Sequence, residues 1–175
     1  MLTGGTIIDG AAVGQILTEE LTTLKAVITN NIRAAGEWAS GRTAASMEVH
    51  VTGMSGTLTG RRAFGTLETG RRPGRIPRNM RDIIYEWMQH KGLHGEPMPY
   101  VTKGPHKYPN AQVRGDMSMA GAIAHTIRTQ GTRLYREGGR ADIYSQAIPE
   151  AVAKINARLG GIFAAVVDEQ IKLHT

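Results

Sequence analysis

The sequence predicts an α+β fold: a small antiparallel β-sheet packed with several α-helices, the first and last of them long and amphipathic. Three observations carry this. An apolar stripe of helical period runs through residues 11–35, a Gly- and Thr-rich alternating segment occupies 42–67, and a heptad-like seam fills the C-terminal 30 or so residues. The chain has 175 residues, enough for one domain with a substantial core, so 1–175 is expected as a single unit.

The first helix follows from Val13, Leu17, Leu21, Leu24, Ile28, Ile32 and Ala35, which recur every three or four residues, and Gly36 supplies a stop. Next, Met47, Val49 and Val51 alternate with Glu48 and His50. The stretch after them is rich in Thr, with Gly53, Gly56, Gly60 and Gly65. Two or three strands, turning near Thr52–Gly56, are predicted.

A loop with Pro73 and Pro77 then enters a helix from about Asn79 to Lys91, ended by Gly92. Met80, Ile84 and Trp87 share a face of it, so Trp87 is read as a core anchor. Residues 93–115 form a long Pro/Gly loop. A helix over 116–130 resumes, capped by Asp116 or Ser118, with Ala120, Ile123, Ala124 and Ile127 on one face and His125 partly buried. The C-terminal seam is Ile148, Val152, Ile155, Leu159, Ile162 and Val166, widened by Phe163, Val167 and Ile171. Gly160 and Gly161 interrupt it as a weak point. An unbroken helix over 145–173 would be about 43 Å long, enough to cross the whole domain or reach a neighbour. Ile155, Leu159, Ile162 and Val166 are therefore the candidate oligomer interface.

Composition narrows the chemistry. The absence of cysteine excludes thiolate nucleophiles, disulfides and Cys-ligated metal sites. No run approaches the ~18 apolar residues of a membrane span, so no membrane partner is expected. The opening residues lack the basic start of a secretory signal, which points to synthesis in a cytoplasm. No phosphate-cradling loop, dinucleotide fingerprint or nucleophile elbow occurs. His90 and His94 have the spacing of zinc ligands on a helix, but Gly92 between them ends the helix, and they read as solvated. Neither an enzymatic activity nor a cofactor is expected.

The net charge is +6, and it is not spread evenly. Arg61, Arg62, Arg71, Arg72, Arg75, Arg78 and Arg81 fall in one short stretch, with Glu68 as the only acid among them. All are Arg, none Lys. A guanidinium fork matches carboxylates and phosphates in fixed geometry, and the two prolines lower the ordering cost of the loop on binding. Three readings stand: docking onto an acidic protein surface, contact with nucleic-acid phosphate, or a solvated surface. Arg61, Arg62, Arg71, Arg72, Arg75 and Arg78 are the candidate partner- or DNA-contacting residues.

The order of motifs resembles the tail-completion or neck proteins of the head–tail junction in tailed bacteriophages. Gly65-Thr66 ends the strand region, Pro73 and Pro77 stand in the loop, and Trp87 with Lys91-Gly92 closes the helix. Ala120, Ile123 or Ile127, and Gly131-Thr132 mark the later helix. The resemblance spans roughly residues 42–172. It implies a non-enzymatic virion component, assembled in the host cytoplasm. Such a protein forms a homo-oligomeric ring of six or twelve copies around double-stranded DNA and joins neighbouring portal, adaptor or tail proteins. A free, basic nucleic-acid-binding protein acting through residues 61–81 is the alternative.

Overall fold

The computed structural model describes residues 9–101, 104–105 and 107–173. The expectation about a leader concerns residues 1–8 and lies outside them. The chain forms an α+β fold that divides into two units. The first comprises residues up to Glu37, Arg42–Phe64 and Ala141 onward; the second is Trp38–Gly41 with Gly65–Arg140.

The first unit is built on helix α1, Gly10–Ala34. Asp9 caps it by accepting from the Ala11 N–H at 2.9 Å, and Ala35 follows its last turn. Its buried residues are Val13, Ile16, Leu17, Leu21, Leu24, Ile28 and Ile32, the predicted stripe with Ile16 added. After the single turn α2 (Arg42–Ala45), strands β1 (Glu48–Thr52) and β2 (Ser55–Thr59) form an antiparallel hairpin with Val49 opposite Leu58 and Val51 opposite Gly56. Those four positions are the less exposed face, and the hairpin packs on α1. Gly56 is required by that packing, because a Cβ there would stand 2.8 Å from Leu21 and 3.3 Å from Leu17. The sheet has two strands. The chain beyond Gly60 coils into a short 3-10 turn, Arg62–Gly65, where a third strand was conceivable.

The long helix α7, Ala147–Leu173, packs along the other part of α1. Gly160 and Gly161 do not break it, and at 1.5 Å per residue it is about 40 Å long. The two helices run antiparallel: the Asn31 side chain donates to the Ile143 carbonyl at 2.9 Å, while Arg158 reaches Glu19 and Glu20.

The second unit is organised around helices α4 (Met80–Lys91) and α5 (Ala111–Gln130), with the single turns α3 (Thr66–Thr69) and α6 (Arg133–Arg136) in contact with each other. Met80, Ile84, Met88, Ala120, Ala124 and Ile127 form its core. Gly92 ends α4 in the left-handed conformation, at φ 63°, as its position after the last turn requires. Two expectations are corrected. Trp87 is 38% exposed, and Met88, fully buried, is the anchor, because the stripe facing α5 runs 80, 84, 88. Helix α5 starts one and a half turns earlier than expected: Asn110 is its cap, accepting from the Val113 N–H at 2.9 Å. Asp116 therefore lies inside the helix, and His125 on its exposed side.

Candidate docking surfaces

The arginine loop is fixed to the second unit through its backbone. The Arg71 N–H donates to the Thr132 hydroxyl at 2.9 Å, the Arg71 carbonyl accepts from the Thr132 N–H at 2.8 Å, and the Gly74 N–H donates to the Arg128 carbonyl at 2.8 Å. These bonds lay the loop against the C-terminal end of α5. Gly70, at φ 66°, makes the entry turn, where a side chain would collide with the Tyr135 backbone and the Thr132 hydroxyl. At the far end the Met80 N–H donates to the Pro77 carbonyl at 3.1 Å and leads into α4. Loop geometry thus depends on backbone bonds, prolines and one bond from the Arg71 side chain, which leaves the guanidinium groups of Arg72, Arg75 and Arg78 available.

Arg71 is half-buried and donates to the Arg75 carbonyl at 2.9 Å; Arg72, Arg75 and Arg78 are exposed. Arg75 and Arg78 line an open depression with Gly74, Ile76 and Pro77, and the fold adds Arg128 from α5 to the same rim. Arg128 belongs to no arginine run in the sequence; the Gly74–Arg128 and Arg71–Thr132 bonds, which hold the loop against the end of α5, bring it there. Among the described residues no carboxylate pairs with Arg72, Arg75, Arg78 or Arg128. Such a cluster of unpaired cations on a fixed backbone can take up a carboxylate- or phosphate-bearing partner with little reorganisation. Arg61 and Arg62 are exposed too, but they belong to the first unit, so the seven-arginine stretch of the sequence is split between units. Arg81 faces Asp82 at 3.9 Å.

On α7 the candidate interface residues Ile155, Leu159, Ile162 and Val166 are half-buried and lie in line with the buried Ala147 and Ala151, on the side that packs along α1. Arg158 closes that contact with a fork, Nη2 to Glu19 at 2.7 Å and Nη1 to Glu20 at 2.8 Å. The hydrogen bond from Arg158, joined by one from Gln15, holds the Glu19 carboxyl below the usual carboxylate range. The bonds to Glu20 and Glu19 raise Arg158 above its ordinary value. Apolar side chains on the neighbouring face remain in solvent: Ile148, Val152, Phe163 and Val167 are all between 43% and 55% exposed. A Cβ on Gly160 or Gly161 would meet nothing within 4 Å.

Sequence reasoning missed one cluster. Asp116 is 97% buried by exposure of 3%, and its carboxylate accepts from the Gly95 N–H at 2.8 Å, Gln112 at 2.8 Å, Gln89 at 3.4 Å and His94 at 3.3 Å. Burial pushes this carboxyl up. The bonds from Gln112, Gly95 and His94 outweigh it and hold the group below its ordinary value. With Gly95 and Gly115 backbone to backbone, the cluster latches the start of the 93–110 loop onto α5. The pairing explains His94; His90 instead faces Glu86 at 3.8 Å. Among the described residues no group of three or more acidic or His side chains could hold a metal ion, and no helix is long and apolar enough to cross a membrane.

Comparison with protein-family models, with curated proteins and with solved structures finds no match for the chain.

Proposed function

We propose that the chain is a structural protein of the head–tail junction of a tailed bacteriophage, a neck or tail-completion component that joins portal-side and tail-side neighbours around the DNA channel. The observation that carries this reading is the arginine loop, held by backbone bonds at Arg71 and Gly74 while Arg72, Arg75 and Arg78 have no carboxylate partner among the described residues. Fixed, unpaired guanidiniums suit a contact with an acidic protein surface, where desolvation strengthens each fork. The order of sequence motifs supports the same assignment. Copies repeated by a heterologous contact would close into a ring of six or twelve.

Double-stranded DNA is the secondary partner in this reading. A surface along which DNA must slide gains nothing from tight phosphate binding, since each neutralised phosphate adds salt-dependent affinity. The alternative, a free nucleic-acid-binding protein, draws on the same loop and on Arg128 beside it.

The test replaces Arg72, Arg75 and Arg78 together, the exposed arginines of the loop. The triple Ala variant keeps its fold, because exposed charges contribute little stability, and fails to enter particles seen by electron microscopy. The triple Lys variant restores incorporation only in part, because Lys lacks the fork. Normal particles from the Ala variant, or a monomer that binds DNA with a steep salt slope and forms no assembly, would sink the connector reading.

A further inference from the structure

We infer that the depression rimmed by Arg75, Arg78 and Arg128 seats a short acidic segment of a partner protein, in which carboxylates flank one apolar side chain. The inference rests on the reading of the arginine loop as a docking surface and narrows what docks there. The depression holds about 480 Å³, within the roughly 300–1,000 Å³ of sites that take a ligand, and the three arginines line it together with Gly74, Ile76 and Pro77. This arm of the loop is fixed along its whole length. The Gly74 N–H donates to the Arg128 carbonyl at 2.8 Å, and the Arg71 side chain donates to the Arg75 carbonyl at 2.9 Å. Ile76 packs against the core of the unit, and the Pro77 carbonyl accepts from the Met80 N–H at 3.1 Å. A surface ordered before binding removes much of the ordering cost, so a short segment suffices.

The two kinds of lining residue select the occupant. Arg75, Arg78 and Arg128 are exposed, and among the described residues no carboxylate pairs with any of them. Like charges around one space repel each other, and carboxylates entering it relieve that repulsion. A guanidinium fork takes a carboxylate in fixed geometry, so the rim calls for more than one acid. Ile76 and Pro77 stand directly between Arg75 and Arg78 in the chain, which interleaves apolar surface with the charged rim. An apolar side chain seated there leaves water together with Ile76 and Pro77, while acids on either side of it reach the guanidiniums. Nucleic acid would meet the rim with phosphates but has nothing for Ile76 and Pro77, and no aromatic ring lines the depression to stack a base. A free phosphate ion likewise leaves the apolar part wet. Arg128 separates this site from the loop at large, because it reaches the rim from α5 and belongs to the site only through the fold.

Fluorescence anisotropy on the full chain tests this with a labelled peptide in which one leucine stands between runs of glutamate. At physiological salt the peptide binds, and replacing its leucine by serine weakens binding about tenfold or more. Arg128→Ala weakens it about tenfold, and Arg128→Lys restores it only in part, because Lys lacks the fork. Lys154→Ala removes an exposed cation of α7, changes the net charge equally and leaves binding as it was. A peptide that fails to bind, or that binds equally well with serine, overturns the inference. So does an Arg128→Ala chain that binds no worse than Lys154→Ala. Displacement of the peptide by a DNA duplex or by inorganic phosphate, charge for charge more readily than by its unlabelled copy, overturns it as well. Peptide binding by a chain that never enters particles leaves the site standing and sinks the head–tail reading. Normal particles from Arg128→Ala, with no peptide binding by the wild type, do the reverse.

Discussion

Helices α5 and α7 differ in what covers them, although both announce an apolar stripe in the sequence. On α5 the stripe is closed: Ala120 is fully buried, Ala124 and Ile127 nearly so, all against Met80, Ile84 and Met88 of α4. On α7 only the first turns are closed. Ala147 and Ala151 are buried, Ile155, Leu159, Ile162 and Val166 are half-buried, and Val152, Phe163 and Val167 face solvent. Periodicity reports that a helix has an apolar side. How much of that side is used inside the chain depends on the width and length of the partner. Helix α4 offers α5 a matched stripe, whereas α1 covers one side of a longer, more broadly apolar helix.

The sharpest way to break the comparison is within α4. Met88→Ala removes a side chain with no exposure and should destabilise the protein by about 2–5 kcal/mol in chemical denaturation. Trp87→Ala, one position away, removes a larger side chain that is 38% exposed and should cost less than Met88→Ala. If the order were reversed, α4 would be rotated from the position in which it closes α5.

Second in size is Asp116, which fastens the loop to α5. Asp116→Ala leaves the Gly95 N–H and the Gln112 amide without their acceptor and should cost about 1–3 kcal/mol at neutral pH. The pH dependence has a definite sign. The folded pKa is depressed, so the contribution is present above the unfolded value, about 3.9, and disappears as pH falls through the folded pKa. Denaturation midpoints of wild type and variant should converge in acid. A gap that stays constant from neutral pH down to strong acid would show that the carboxylate's charge is not what stabilises the latch.

These two residues also mark where the sequence stopped being legible. Helix α1 and the hairpin were readable because both signals are local: a stripe that ends at Gly36, and alternation around Gly53. Trp87 and Met88 are separated by one step around a helix, and only the placement of α5 selects between the stripes 80–84–87 and 80–84–88. Asp116 precedes an apolar run, as a cap would. The true start at Ala111 is hidden because Gln112, Arg114 and Gly115 give the first turns no apolar period. Gly115 looked like part of a loop, yet it is the point where loop and helix backbones meet. The arginines were legible as chemistry, but the arrival of Arg128 beside them depends on long-range bonds of the loop backbone to Arg128 and Thr132. Likewise Ile155, Leu159, Ile162 and Val166 were legible as a seam, but the sequence could not assign that seam to α1.

The smallest effect, and the one of opposite sign, comes from Gly160 and Gly161, with Gly115 as the contrast. A methyl group on Gly115 would run into the Glu96 carbonyl and stand 3.3 Å from Pro97, so Gly115→Ala destabilises the closed unit. Gly160 and Gly161 sit in regular helix with nothing within 4 Å of an added Cβ. An alanine there restricts the unfolded chain and favours the helix, with no packing to disturb. Each replacement should stabilise α7 by roughly 0.5–1 kcal/mol. A rise in the denaturation midpoint on Gly160→Ala and Gly161→Ala, beside a fall on Gly115→Ala, is the expected outcome. A fall at 160 or 161 would mean that this stretch of α7 is already covered within its own chain, and the contrast between the closed helix and the open one would then disappear.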